Sequence, residues 1–299
     1  MPILIGLLGA VTLTSLFRRA NWPFELLNHF RPHMIVAGVI GVLACLLLGE
    51  RWEWAAIAAG LALVNYAALP APRWTKPEER FASTPGVTIV WANVWHKQGP
   101  LERTLAWAKT QGADVILIGE YAPSEAADAL PGDYPHRLYP APAPEGLKYA
   151  RRVAAFSRLP IENSQIRQGP GPSLRPFVSF SVRVGDQSLD IIGTHPTPPT
   201  WPRLLRERDR HIATLAALTN SPFVLAGDFN ATPWAPVFKS IPGRRVGGYL
   251  LAPTWFSNLP LLGLPIDHIM ASPTIKVSAY QVARFTGSDH RAILARVHP

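Results

Sequence analysis

A carboxylate and a carboxamide lie two positions apart in the segment Gly227-Asp228-Phe229-Asn230, directly after the apolar run Val224-Leu225-Ala226. An apolar strand that delivers these two groups onto one loop is suited to holding a phosphate together with its attacking water. The alternative is an ordinary strand-to-turn junction, because Asp and Asn side chains bond their own backbone in turns. The motif alone leaves both interpretations open.

Polar side chains also stand at the ends of other predicted strands. Residues 87–92 and 114–119 are β-branched or apolar runs, and the periodic segment between them predicts a strand–helix–strand unit with both strand ends on one rim. A third run, residues 189–194, ends before a proline-rich loop that cannot continue the sheet. The residues at these ends, and beside two later apolar runs, are Asn93, Glu120, His195, Asp267, Asp289 and His290. Each of these residues, taken alone, has an ordinary structural explanation. Taken together, those explanations would require the same coincidence at several separate strand ends.

The order Asn93, Glu120, His195, Asp228-x-Asn230, Asp267, Ser288-Asp289-His290 resembles the endonuclease/exonuclease/phosphatase family, the DNase I-like metal-dependent phosphodiesterases. The resemblance covers roughly residues 84–299, and its Gly-Asp-x-Asn and Ser-Asp-His motifs are specific. It implies a four-layer α/β sandwich of two packed sheets, with the site at the rim where strand ends converge.

The resemblance also implies a metal site. Hydrolysis of a phosphate ester needs charge neutralisation and an activated water, which a hard divalent cation with oxygen ligands supplies. Glu120 is the first choice as a Mg²⁺ ligand, and Mn²⁺ is an alternative ion. By resemblance, Asn93 supports the metal or a phosphate oxygen, and Asp289 adds a carboxylate at the metal site.

The remaining residues are expected to be catalytic. An imidazole needs a carboxylate that fixes its tautomer, and Asp267 beside His290 fits that need. By resemblance this pair faces the scissile phosphate, with the imidazole either as base or as phosphate-binding cation. Asp228 is expected to orient or deprotonate the water, Asn230 to bond a phosphate oxygen, and His195 to donate to the phosphate or protonate the leaving group.

Two positions depart from the family pattern. The acid-bearing strand commonly ends in Gln-Glu, whereas here Gly119 precedes Glu120, so the bonding around the metal ligand is expected to differ. His268 follows Asp267 where a bulky aromatic or apolar residue often stands. We interpret His268 as structural.

The first seventy residues differ in composition from the rest. Three apolar runs, at about residues 3–17, 34–49 and 54–69, predict three short transmembrane helices and an anchor over residues 1–70. Each run gives about 23–25 Å of helix, against an apolar slab of roughly 30 Å. The alternatives are a helical layer buried in protein and, for the first run, a signal peptide.

Trp201, Trp234 and Trp255 are expected either to stack on bases or acyl chains of a substrate at the site mouth or to pack in the core or in loops.

Lysine and arginine near the three runs favour a cytoplasmic side for the catalytic domain of this expected multi-pass membrane protein, although large domains weaken that rule. A proline-rich linker is predicted over residues 71–80, followed by the catalytic domain over residues 81–299. Cys45 is the only cysteine, so no intrachain disulfide can form.

The net charge of +9 favours polyanionic partners, either nucleic acid or anionic phospholipid headgroups. A solvated basic face is the alternative. The sequence therefore predicts a membrane-anchored, Mg²⁺-dependent phosphodiesterase whose partners are the lipid bilayer and its phosphate-ester substrate, with no protein partner predicted. The rival is a catalytically silent binding module on the same fold. A polytopic transporter is disfavoured because no apolar span follows residue 70.

Overall fold

The structure is a computed structural model, and it describes residues 1–17, 22–71, 73–121, 132–140, 152–173, 175–219, 222–248, 252–284 and 286–299. Its helices are α1 Pro2–Leu16, α2 Phe24–Asn28, α3 Arg31–Leu47, α4 Trp52–Ala67, α5 Gln98–Thr110 and α6 Pro202–Ala216. Its strands are β1 Trp74–Thr75, β2 Val87–Asn93, β3 Val115–Gly119, β4 His136–Leu138, β5 Val153–Ser157, β6 Glu162–Gln168, β7 Pro176–Val184, β8 Gln187–Thr194, β9 Phe223–Asp228, β10 Arg244–Val246, β11 Asp267–Ala271, β12 Lys276–Val282 and β13 Ile293–His298. Short 3₁₀ helices cover Glu79–Phe81 and Pro236–Ser240.

The strands form two mixed sheets. The first has the order β1-β10-β11-β9-β8-β7-β6, and the second has the order β12-β13-β2-β3-β5-β4. Strands β2 and β3 are parallel, as are β8 and β9, so each pair brings its carboxyl ends to one edge. Strand β11 runs antiparallel to β9, which places its first residue, Asp267, opposite Asp228.

The β-branched and aromatic strands are buried on both faces, because each sheet packs against its partner on one side and a helix on the other. The layer between the sheets contains Ile89, Leu117, Ile191 and Ile269. Helix α5 covers the second sheet through Leu101 and Leu105, whose spacing gives it one apolar face. Helix α6 covers the first sheet through Ile212 and Leu215. The predicted four-layer sandwich is therefore present.

The prediction of transmembrane helices is wrong. Helices α1, α3 and α4 have 15, 17 and 16 residues, so the longest spans about 26 Å of a slab of roughly 30 Å. Within the described ranges, no helix combines the length and apolar character needed to cross a membrane. The predicted multi-pass membrane localisation is therefore wrong as well. The choice of a membrane side from the lysine and arginine positions no longer applies.

The helices of this N-terminal unit instead enclose a polar cluster. Arg31 is fully buried, and its guanidinium donates to Asn65 Oδ1 at 3.2 Å and to the Ser15 carbonyl at 3.0 Å. Asn65 donates to Thr12 Oγ1 at 2.9 Å. These bonds cross between α1, α3 and α4, because a buried polar group must be paired inside the protein. The apolar runs of the sequence therefore form helices that pack around these polar side chains.

The predicted linker contains β1, which pairs in parallel with β10 at the edge of the first sheet. Pro72 of this segment lies outside the described residues. The division of the chain at residues 70 and 80 stays a prediction.

Candidate active site

Strands β2 and β3 deliver an amide and a carboxylate to the same edge of the second sheet. Asn93 is the last residue of β2 and lies opposite Gly119 in the parallel register, so Glu120 follows immediately beyond it. Glu120 has a φ of 56°, a left-handed conformation that turns the chain at the strand end. Asn93 Nδ2 donates to Glu120 Oε1 at 3.2 Å. The expected neighbourhood of these two residues is therefore present.

The first sheet contributes three acidic or imidazole groups to the facing edge. His195 follows β8, Asp228 ends β9, and Asp267 begins β11. All three side chains are nearly inaccessible, with exposed fractions of 3%, 3% and 0%. Because the two sheets pack face to face, these groups meet Asn93 and Glu120 across the gap between the sheets.

The segment before β13 closes the cluster. Ser288 Oγ donates to the carbonyl of Asn93 at 2.8 Å and accepts the backbone N–H of His290 at 3.1 Å. The serine of the Ser-Asp-His motif thus holds the loop against the end of β2. This bond places His290 within reach of both Asp228 and Asp267.

Asp228 lies at the centre of the cluster. Its Oδ2 is 3.3 Å from Asn93 Nδ2, 3.3 Å from His195 Nε2 and 3.7 Å from His290 Nε2. Burial would raise its pKa, but the charge on His290 and the contacts with His195 hold the pKa of Asp228 well below its usual range. Asp228 is therefore an ionised carboxylate in a dry pocket.

Asp267 and His290 form the expected dyad, with Asp267 Oδ2 2.8 Å from His290 Nδ1. The other carboxylate oxygen accepts the indole N–H of Trp91 at 2.8 Å. Burial disfavours the imidazolium, but the carboxylates of Asp267 and Asp228 outweigh it and raise the pKa of His290 to about 10. His290 is therefore a cation at neutral pH, with Nε2 directed at Asp228.

Asn230 is held beside this cluster. It has a φ of 49°, and its backbone N–H bonds Asp228 Oδ1 at 2.9 Å. Its side-chain Nδ2 donates to the carbonyl of Pro196 at 3.1 Å. The carboxamide donor therefore ties the Asp228 loop to the loop after His195, and the expected bond to a phosphate oxygen stays a prediction.

The residues expected to bind metal provide a suitable donor set. Burial raises the pKa of Asp289, and the negative charge of Glu120 raises it further. A carboxylate whose ionisation is disfavoured by a neighbouring carboxylate fits a site for a divalent cation, whose charge relieves the repulsion. Glu120 and Asp289 supply hard oxygen ligands for such an ion, whereas Asn93 directs Nδ2 to Glu120 and its Oδ1 accepts the backbone N–H of Trp95 at 3.0 Å.

A second group of ligand atoms lies close together. Asp228, Asp267 and His290 each offer one atom within 4.8 Å of the others. However, the ligand atoms of Asp267 and His290 bond each other at 2.8 Å, and Asp267 also accepts from Trp91. The ligand atoms of Asp267 and His290 are therefore already engaged with each other.

The sequence did not indicate three residues that contact the site. His96 Nδ1 is 3.2 Å from Glu120 Oε2, Arg175 Nη1 is 3.4 Å from both ring nitrogens of His195, and Trp91 bonds Asp267. Trp91 also explains Gly119: a Cβ there would lie 2.8 Å from carbons of the indole ring. The position of His96, three residues after Asn93, is the one feature of the sequence that could have indicated it.

His268 has the structural position expected for it. It is buried between Phe229 and Phe238, and Nε2 lies 2.9 Å from the carbonyl of Ala231. Burial lowers the pKa of His268 to about 3, so this imidazole is neutral and donates to that carbonyl. Trp234 is also a packing residue, since its indole donates to the carbonyl of His29 at 2.9 Å.

Comparison with known proteins agrees with this geometry. The sequence model described as "Endonuclease/Exonuclease/phosphatase family" matches residues 90–290. The comparison with curated proteins found no match.

Three solved structures share the fold. An endonuclease/exonuclease/phosphatase from Beutenbergia cavernae is 18% identical, with 72% of each chain covered and a TM-score of 0.56. D. rerio TDP2, complexed with a single-strand DNA product, is 15% identical over 72% of this chain and 99% of its own, with a TM-score of 0.58. Sphingomyelinase C from Streptomyces griseocarneus is 16% identical over 71% of this chain and 99% of its own, with a TM-score of 0.53.

Proposed function

The chain belongs to the endonuclease/exonuclease/phosphatase family, and from that premise we propose that it is a divalent-metal-dependent phosphodiesterase. Members of this family are hydrolases that act on phosphate esters. Mg²⁺ is the expected ion, and Mn²⁺ is the alternative. The position of Asp228, an ionised carboxylate within 3.7 Å of an amide and two imidazoles, carries the proposal.

Glu120 and Asp289 would hold the metal at the edge of the second sheet, with Asn93 beside them to support the metal or a phosphate oxygen. A divalent cation at this site would neutralise charge on the phosphate and favour the ionised form of the attacking water. Glu120 is partly buried, with 17% of its side chain exposed, so a metal ion can reach it from solvent. This set consists of hard oxygen donors, which suits Mg²⁺.

Asp228 would orient the attacking water. Its Oδ1 is bonded to the backbone N–H of Asn230, whereas Oδ2 faces His195, His290 and Asn93. A carboxylate with a lowered pKa is a weak base, so orientation is its main contribution, and Asp228 Oδ2 accepts the proton that the water loses as the new P–O bond forms.

His290 would bind the phosphate as a cation. Its Nδ1 proton is directed to Asp267, which leaves the Nε2 proton available to a phosphate oxygen. With a pKa of about 10, this imidazole is a poor base at neutral pH, so the phosphate-binding role is preferred over the base role. Asp267 keeps the ring oriented and charged.

His195 would protonate or bond the leaving oxygen. Its Nε2 is 3.3 Å from Asp228 Oδ2, the same oxygen that lies 3.7 Å from His290 Nε2. Arg175 lies over the ring and adds positive charge beside it. The two imidazoles can therefore contact two different oxygens of one phosphate.

The substrate is proposed to be a phosphodiester of nucleic-acid or phospholipid type, consistent with the net charge of +9. The full chain should be assayed on plasmid DNA, RNA and a panel of phospholipids, with Mg²⁺ or with EDTA. An Asp228→Ala variant serves as the control. Metal-dependent cleavage that this variant lacks would support the proposal and identify the substrate class. No cleavage of any substrate would favour the silent binding module.

A further inference from the structure

Residues 22–30, which precede α3, lie against the loops of the proposed active site. Helix α2 and the residues around it precede the part of the chain that matches the family, which begins at residue 90. Glu25 and His29 are nevertheless buried against the sandwich, each with an exposed fraction of 5%. Their partners belong to the catalytic part of the chain.

Arg208 of α6 connects Glu25 to the Asp228-Phe229-Asn230 loop. Its guanidinium is fully buried, and Nη2 is 2.8 Å from Glu25 Oε1. On its other side, Nη1 donates to the carbonyl of Asn230 at 3.1 Å. Asp209 accepts a further bond at 2.9 Å, but half of its side chain is exposed. Glu25 is therefore the buried partner that fixes the orientation of the guanidinium.

His29 makes a second connection to the same loop. Its Nδ1 accepts the backbone N–H of Thr232 at 3.3 Å and lies 3.1 Å from Thr232 Oγ1. The carbonyl of His29 accepts the indole N–H of Trp234 at 2.9 Å. Since Nδ1 is an acceptor, the ring proton is on Nε2, which faces Glu25 Oε2 at 3.5 Å.

Trp22 extends the contact to the loop that follows His195. Its indole N–H donates to the carbonyl of Pro199 at 2.9 Å, and its ring stacks on Trp201 at 5.5 Å between centroids. The same short stretch of chain thus bonds both loops that Asn230 already ties together through Pro196.

We propose that Glu25 and His29 are positioning residues for the reaction, which fix the loop of Asp228 and Asn230 through Arg208 and Thr232. The inference rests on the proposed function. Asn230 is in a left-handed conformation, with a φ of 49°, which asparagine adopts more readily than most non-glycine residues. The bond from Arg208 to its carbonyl holds the loop in position, and Glu25, which precedes the family region, anchors Arg208.

A double variant, Glu25→Leu with Arg208→Met, separates positioning from stability. Replacing a buried ion pair with apolar residues of similar volume is often neutral for folding, so the variant should stay folded. It loses the bond to the Asn230 carbonyl. Arg203→Met is the matched control, because Arg203 lies on the same helix with 64% of its side chain exposed. Each full-length protein is assayed with Mg²⁺ on bis(p-nitrophenyl) phosphate at a temperature where circular dichroism shows it folded.

The expected result is a fall in kcat of about 10–100-fold with a KM within about twofold of wild type, because a displaced catalytic group affects the reaction more than binding. Hydrogen exchange at the amide of Thr232 should accelerate in the double variant and not in Arg203→Met. A single Glu25→Gln variant, which keeps an acceptor for Arg208, should retain more activity than the double variant.

Amide hydrogen exchange at Thr232 tests the positioning role even if the protein does not hydrolyse this substrate. An inactive wild-type protein would contradict the proposed function on this probe, whereas unchanged exchange at Thr232 in the double variant would overturn the positioning role. A kcat within about twofold of wild type in a folded double variant would also overturn it.

Discussion

The indole Nε1 of Trp91 donates a 2.8 Å hydrogen bond to Oδ1 of Asp267, whose other oxygen contacts His290. Trp91 lies in β2 of one sheet and Asp267 in β11 of the other, so this bond crosses the central layer of the sandwich. One carboxylate oxygen of Asp267 therefore bonds the indole of Trp91, and the other bonds the imidazole of His290. Glycine at position 119 makes room for the indole ring.

Trp91→Phe should lower the free energy of unfolding by about 1.5–3 kcal/mol, the usual range for a hydrogen bond to a buried charged group. Phenylalanine also leaves a cavity where the fully buried indole was, so the lost bond to Asp267 and the lost packing both contribute. Urea denaturation measures the effect. Trp107→Phe, in the partly buried face of α5, is the control. Equal losses in both variants would contradict a special role for the Trp91–Asp267 bond.

His290 should be protonated at pH 8 in metal-free protein, because the carboxylates of Asp267 and Asp228 raise its pKa to about 10. Since this pKa is raised above the unfolded value of about 6.5, the stability it contributes is complete below pH 6.5 and is lost as pH rises towards 10. NMR titration of the imidazole nitrogens measures the charge. Asp267→Asn should shift the titration to lower pH, and a neutral wild-type ring at pH 8 would refute the assignment.

His290→Ala should reduce kcat by about 10²–10³-fold, the scale expected when a donor that stabilises developing negative charge is lost. Turnover of bis(p-nitrophenyl) phosphate with saturating Mg²⁺ is the measurement. His136→Ala, on the edge strand β4, is the control. A decrease below about tenfold would remove His290 from the mechanism.

The strand ends of the site were predictable from the sequence, whereas the contacts between distant segments were not. Asn93, Glu120, Asp228 and Asp267 follow or begin runs of β-branched and apolar residues, and such runs identify strands by themselves. Trp91 and Asp267 are 176 residues apart, and Arg208 and Glu25 are 183 apart. Pairs at this separation meet only through the packing of the sheets and helices.

The transmembrane prediction failed for a related physical reason. Runs of 15–17 apolar residues fit both a short span and a helix in a packed unit, and periodicity does not separate the two. Of the polar residues that the unit buries, Arg31 precedes the second run, whereas Thr12 and Asn65 lie within the first and third runs. Their bonds to each other appear only once α1, α3 and α4 are packed.

Acid should destabilise the protein through His211. Burial lowers the pKa of His211 to about 3, and the charges of His195 and Arg175 act in the same direction. Below pH 6.5 the unfolded chain binds a proton that the folded protein does not, so stability is lost as pH falls from 6.5 towards 3. His211→Gln should reduce the slope of unfolding free energy between about pH 4 and 6 by up to about 1.4 kcal/mol per pH unit. An unchanged slope, relative to a His136→Gln control, would contradict the buried neutral state.

The most direct test of the proposed function is a Mg²⁺ titration of bis(p-nitrophenyl) phosphate hydrolysis by wild type and by Glu120→Gln. Glu120 is the first choice among the predicted metal ligands, and the variant keeps its size while removing its charge. The predicted result is hydrolysis by wild type that EDTA abolishes, with a much higher Mg²⁺ requirement in the folded variant. Normal turnover of Glu120→Gln at limiting Mg²⁺ would contradict the metal site at the centre of the proposal.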